Sequence, residues 1–172
     1  MKKITLTCAH AVVKYLIAQK ILINGKKEPL FPGVFGIFGH GNVACLGQAL
    51  EENQKELPTY RGHHEQNMAL TGIGYARAKR RQQIFVATSS VGPGATNMLT
   101  GAAVATTNRL PVLLFPADTF ANRVADPVLQ QLEQPYDLTM SVNDAFKPFS
   151  KFFDRINRPE QIFSSLLGAM RV

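Results

Sequence analysis

Short apolar runs, each cut off by a polar or glycine-bearing turn and followed at once by a helix-period stretch, restrict this chain more than any other feature. VFGIF (Val34 to Phe38) runs into Gly39 and Gly41, with a helix expected from near Asn42. A second strand fits Thr59 and Tyr60, and a helix follows from about Glu65 to Lys79. Ile84 to Thr88 is a third strand, ending in SSVGPGATN and leading into a helix over Ala95 to about Thr106; Pro111 to Phe115 is a fourth. Strands that reach one another only through helices pair in parallel, and a parallel sheet is buried on both faces. The expected fold class is therefore α/β, a three-layer doubly wound parallel sheet.

The flanks are read in the same way. Ala9, Val12, Val13, Leu16 and Ile17 follow helical spacing, so the first segment is an amphipathic helix. That reading fits better than a signal peptide, because His10, Lys14 and Lys20 interrupt the apolar stretch. Asn24-Gly25 marks a tight turn in a loop or small hairpin that ends by Pro32. Residues 116–144 are irregular, with a short helix expected at Val128–Glu133 and a final strand from Lys147 to Phe153. Asn157 is the expected N-cap of the last helix, with Pro159 in its first turn and Ile162, Phe163, Leu166, Leu167 and Met170 on its apolar face. Residues 1–172 thus form one domain. The last helix stops at Val172 without a capping glycine, which suggests a larger protein trimmed at a domain edge.

Composition narrows the function classes. An apolar fraction of 45% with 18% charged residues belongs to a compact protein, not a disordered one. The net charge of +7 raises the question of nucleic acid. However, the run Arg77, Lys79, Arg80, Arg81 sits where a helix ends, where cations suit the dipole, and no aromatic residues interleave with it. Neither nucleic acid nor a membrane is an expected partner. Two cysteines, Cys8 and Cys45, make no disulfide framework, so a reducing, cytoplasmic setting is expected.

Ligands of open α/β sheets bind beyond the carboxyl ends of the strands, so the turns there are the candidate sites. GHGNVA, from Gly39 to Ala44, fits the dinucleotide pattern G-x-G-x-x-A. That pattern expects an acidic residue at the end of the next strand, where Tyr60 and Arg61 stand instead, and a nucleotide-binding oxidoreductase domain is the runner-up. In SSVGPGATN, Gly92 and Gly94 flank Pro93 and permit close backbone approach, but the lysine of a P-loop is missing. In RGHHEQ, Glu65 opens a helix just after a strand, which by itself is also what the helix dipole favours. Neither Cys8 with His10 nor His63 with His64 has metal-site spacing, and no metal site is expected in this chain. No G-x-S-x-G elbow is present for a serine hydrolase.

Taken in order, VFGIFGHGN, HHEQNMALTGIGYARA and TSSVGPGATNMLTGAAVATTNRLPVLL resemble the pyrimidine-binding domain of the acetolactate-synthase-like thiamine-diphosphate enzymes, over essentially the whole chain. The family has Pro where Phe38 stands, a shorter loop than Ile21 to Pro32, and no extra residue at Ser90-Val91. These departures, with PADTF, DPVLQQLEQ and NDAFKPFSKFFDRINRPEQ, resemble the branch that cleaves the ring of a cyclic 1,2-dione in myo-inositol catabolism. The alternative within the family is a lyase, transferase or decarboxylase acting on a 2-oxo acid.

The resemblance implies a thiamine-diphosphate-binding fold and a catalytic Glu65 that shares a proton with N1′ of the cofactor's aminopyrimidine, so that C2 of the cofactor can lose its proton. It places Gly39, Gly92, Pro93 and Gly94 at the cofactor beside Glu65. It also implies Mg²⁺, held with the diphosphate by a separate domain marked by Gly-Asp-Gly, which does not occur here. The central and diphosphate-binding domains would then lie outside this chain, with the partner site supplied by a second subunit of a homodimer or homotetramer. On that reading Ala69, Leu70 and Ile73 are candidates for an exposed self-association surface.

Overall fold

The computed structural model describes residues 3–121, 129–137 and 139–172. Four strands form one parallel sheet in the order β4-β3-β5-β6: β3 (Val34–Gly36), β4 (Thr59–Arg61), β5 (Val86–Ser89) and β6 (Leu113–Pro116). Val34 pairs with Thr59 on one side and Val86 on the other, and Val86 pairs with Leu113. All four residues of β5 are buried, as a central parallel strand requires.

Alternation along the strands sorts the core into two layers. Val34 and Val86 face a cluster with Val13 and Leu16 of α1 (Cys8–Ala18) and Leu50 of α3 (Gln48–Glu52). On the opposite face Ala87 meets Met68 of α4 (Glu65–Ala78), Ala102 of α6 (Leu99–Asn108), Met98 and Phe146. Met170, just past α7 (Ile162–Ala169), joins the first cluster, and the Phe163 ring lies 6.3 Å from Tyr15 of α1. Helices therefore cover both faces of the sheet, the expected three-layer fold. Asn24 (φ 51°) and Gly25 (φ 78°) join β1 (Lys20–Ile23) to β2 (Lys26–Pro29) as a two-residue hairpin turn.

Chain order places the switch point between β3 and β5. From β3 the chain passes through α2 (Gly39–Asn42), a π-helical turn (Val43–Gly47) and α3 to the edge strand β4. It returns through α4, on the other face, to β5. The turns leaving β3 and β5 thus depart from neighbouring strands toward opposite layers, the arrangement that opens a crevice in such sheets.

Several expected elements are corrected. The helix after β3 begins at Gly39, not near Asn42, and the helix after β5 is split into α5 (Pro93–Thr96) and α6, with Asn97 and Met98 between. The strand expected at Lys147–Phe153 does not form: Val142–Phe149 is a 3₁₀ helix. Ser141 Oγ accepts from Asn143 N (3.1 Å), Ser141 N donates to Asp144 Oδ2 (2.7 Å), and Phe146 is driven into the second core cluster. Pro148 has no N–H to offer a ladder in any case. Asn157 is not the cap of the last helix, which opens as a 3₁₀ turn (Pro159–Gln161). Gln161 Oε1 reaches back to accept from the N–H groups of Asn157 (2.8 Å) and Arg158 (2.9 Å). Val128, the start of the expected short helix, lies outside the described residues, and residues 129–133 are not helical. Ala69 (0% exposed) and Ile73 (4%) lie in the domain's own core and cannot form the self-association surface expected of them. Among the described residues no helix is long and apolar enough to cross a membrane.

Candidate cofactor site at the carboxyl edge of the sheet

The sequence places Glu65 on the first turn of α4, immediately after β4 and an extended His64 (φ −159°, ψ 124°) that makes no side-chain cap. The Glu65 carboxylate therefore points from a helix start toward the neighbouring strand end. There β5 ends at the buried Ser89, the buried Ser90 follows, and the chain turns at Gly92 (φ 59°, ψ −119°) into Pro93, the first residue of α5. A positive φ of this kind favours glycine, and proline suits a first helical position.

The two turns meet at the carboxylate. Asn97, at the end of α5, donates from Nδ2 to Glu65 Oε2 at 2.7 Å. The other oxygen faces Gly94: a Cβ built there would lie 3.3 Å from Glu65 Oε1 and 3.3 Å from the Ser90 Cβ. Glycine at 94 thus keeps open the space beside Oε1 that a side chain would fill. Among the described residues no cation forms an ion pair with Glu65.

The remaining expected residues fall into place differently. A Cβ at Gly39 (φ 55°) would lie 2.3 Å from Ser90 Oγ, so Gly39 is small in order to admit Ser90. A Cβ at Gly92 would lie 1.8 Å from the Gln130 carbonyl oxygen, so the outer face of Gly92 is covered by the chain itself. Pro93 is exposed. Glu65, Gly94 and Asn97 are therefore in contact, with Gly39 reached through Ser90 and Gly92 closing the turn behind. The sequence alone marks no role for Ser90, Asn97 or Asn42. Ser90 Oγ donates to Gln130 Oε1 (3.0 Å), and Asn42 Nδ2 donates to Thr88 Oγ1 (3.3 Å) and Ser89 O (3.1 Å), tying the turn after β3 to the end of β5. Their signal, small polar residues inside the glycine turns, is common to all tight turns and singles out none of them.

The other candidates carry less. The end of β4 presents Tyr60 and Arg61, without the carboxylate a dinucleotide ribose needs, and Gly39 spends its free space on Ser90. Arg77, Arg80 and Arg81 line a concavity of about 430 Å³ with Asn108 and Leu110 at the far end of α4 from Glu65, with no aromatic residue in its walls. Cys8 and Cys45 are free and exposed, and among the described residues no three His, Cys, Asp or Glu side chains gather as a metal site.

A carboxylate with one oxygen restrained by a neutral donor and the other beside a glycine can share a proton with a group placed against it. Comparison with known proteins bears on the chain as a whole. Residues 30–138 match the family described as thiamine pyrophosphate enzyme, N-terminal TPP binding domain. Over all 172 residues the chain is 56% identical to a 3D-(3,5/4)-trihydroxycyclohexane-1,2-dione hydrolase of Geobacillus thermodenitrificans. It is 52% identical to the protein of that name from Clostridium tetani and 53% identical to that from Bacillus thuringiensis. In each case it spans 27% of the relative's length.

Proposed function

Because the chain belongs to the N-terminal TPP-binding domain family of the thiamine pyrophosphate enzymes, we propose that it is the pyrimidine-binding part of a thiamine-diphosphate-dependent hydrolase that cleaves the C–C bond of a cyclic 1,2-dione. The observation that carries the proposal is the Glu65 carboxylate, held by Asn97 and open toward Gly94 where two strand ends meet. Thiamine diphosphate, when bound, supplies a nucleophilic carbon and an electron sink.

The chain's residues prepare that carbon for reaction. Glu65, through the oxygen facing Gly94, would hold a proton at N1′ of the aminopyrimidine and so act as the acid–base group of the site. Gly94 would admit the ring edge, while Ser90, packed between Gly39 and Gly94, supports the turn beneath. Mg²⁺ and the diphosphate would be held by residues outside this chain, and the complete site would form with a second subunit of a homo-oligomer in the cytoplasm. Cleaving between adjacent carbonyls of a ring adds one water and yields an open chain with a carboxylate and an aldehyde, with no net oxidation. Identity of 52–56% along the whole chain to relatives named for a trihydroxycyclohexane-1,2-dione supports that substrate over a 2-oxo acid.

Product analysis tests the substrate. The complete protein, loaded with thiamine diphosphate and Mg²⁺, should convert trihydroxycyclohexane-1,2-dione to one open-chain acid with one ¹⁸O from labelled water in its carboxylate, and should release no CO₂ from pyruvate. Turnover of pyruvate with no turnover of the dione would assign the chain to the 2-oxo-acid branch instead.

A further inference from the structure

We infer that Asn97 is a positioning residue for Glu65: its amide holds the carboxylate by Oε2 and so assigns Oε1 as the oxygen that meets N1′ of the cofactor. The inference rests on the proposed role of Glu65 and adds to it which oxygen acts and what fixes it.

Three observations lead there. The first is the contact itself, 2.7 Å from Asn97 Nδ2 to Oε2. A carboxylate only accepts, so the amide must present its NH₂ to it. The second is that among the described residues Asn97 provides Glu65's sole side-chain hydrogen bond, with no ion pair and no cap from His64. A glutamate has three rotatable bonds, and one donor that selects a rotamer removes most of the entropy cost of aiming it. The third is the break between α5 and α6. Asn97 closes α5, its own N–H donating to the Pro93 carbonyl, and the helix restarts only at Leu99. At that interruption the Asn97 side chain reaches the first turn of α4, 32 residues earlier in the chain.

The chemistry of the donor matters as much as its place. A lysine or arginine at 97 would hold Glu65 as an ion pair and reduce its readiness to take a share of a proton. An amide restrains one oxygen and leaves the charge on the carboxylate. With Oε2 engaged, the shared proton is directed to Oε1, the oxygen above Gly94.

The test uses two variants and two readouts. In the ¹⁵N-labelled complete protein without cofactor, the Asn97 side-chain amide should exchange slowly with solvent, and Glu65→Ala should return it to the rate of an exposed asparagine. In the complete protein with cofactor bound, Asn97→Ala should slow C2–H/D exchange by about ten- to a hundred-fold, the effect of losing a hydrogen bond to a charged group. The cofactor dissociation constant should stay within about two-fold, since a positioning contact acts on rate. Asn97→Asp keeps the shape and the helix junction but loses the donor, so it should slow exchange likewise even if the alanine variant unfolds. Wild-type exchange in Asn97→Asp with slow exchange in Glu65→Gln would overturn the role of Asn97 and leave that of Glu65 standing. Wild-type exchange in Glu65→Gln would overturn the reading on which both rest. Weaker cofactor binding with an unchanged exchange rate in either Asn97 variant would make the residue a binding contact and overturn the inference.

Discussion

Glycines three positions or fewer from one another can be required for different reasons, and the two in the turn after β5 are. Gly92 combines a φ of 59° with a Cβ position 1.8 Å from the Gln130 carbonyl, so Gly92→Ala strains the backbone and drives a methyl into main chain. It should destabilise the fold by about 2 kcal/mol or more, read as a lower melting temperature. Gly94 has no such φ, and its Cβ would press on Glu65 Oε1 and the Ser90 Cβ at 3.3 Å each. Gly94→Ala should leave the melting temperature nearly unchanged and weaken thiamine diphosphate binding to the complete protein about ten-fold, roughly 1.4 kcal/mol, by titration calorimetry. Equal effects of the two substitutions on both readouts would contradict this division. From the sequence the two glycines are interchangeable members of one motif. Glu65 was legible because a helix-opening glutamate followed a strand inside a specific pattern; Asn97 was not, because its partner lies 32 positions away and only the fold brings them together.

At the scale of elements, what the sequence conveyed were the strands and the helices with one apolar face, because those patterns have a period to read. The breaks within helices have none. The split between α5 and α6 and the π turn at Val43–Gly47 depend on tertiary contacts, such as Asn42 reaching the end of β5. The stretch from Lys147 to Phe153 reads as a strand, yet Phe146 and Phe149 stand one 3₁₀ turn apart, and a cap at Ser141 decides for the helix. The element that aims Glu65 is α4, and it lies against α6 through small residues: a Cβ at Gly101 would come within 2.5 Å of the Ala69 Cβ. Gly101→Ala must push the two helices apart, since both atoms belong to short, inflexible side chains. It should cost about 1–3 kcal/mol, lowering the denaturant midpoint, and should slow catalysis as well because Glu65 moves with α4. An unchanged midpoint would show that the interface is looser than this packing implies.

On the whole-molecule scale, the 3₁₀ segment is fastened to the sheet edge by charge. Arg155 donates to Asp118 Oδ2 (2.8 Å), just past β6, and to Asp144 Oδ1 (3.1 Å), while Lys147 pairs with the same Asp144 oxygen at 2.9 Å. Burial opposes ionisation of Asp144, but hydrogen bonds from Lys147 and the Ser141 N–H, together with the Arg155 charge, outweigh it and hold its carboxyl below the usual value. A carboxyl depressed in the folded state adds stability above its unfolded pKa of about 4 and loses it as pH falls through the folded value. Chemical denaturation followed between about pH 6 and pH 2 should therefore show an acid loss that Asp144→Asn flattens; identical profiles would remove the network from the stability balance. The chain that this network completes presents the Glu65 carboxylate at its sheet edge, and the most direct test of that role is C2–H/D exchange of thiamine diphosphate, followed by NMR on the complete protein. With Glu65→Gln, which keeps the side chain's size but not its carboxylate, exchange should slow by at least about a hundred-fold while the folded structure persists. Exchange at the wild-type rate in that variant would mean that Glu65 does not activate the cofactor.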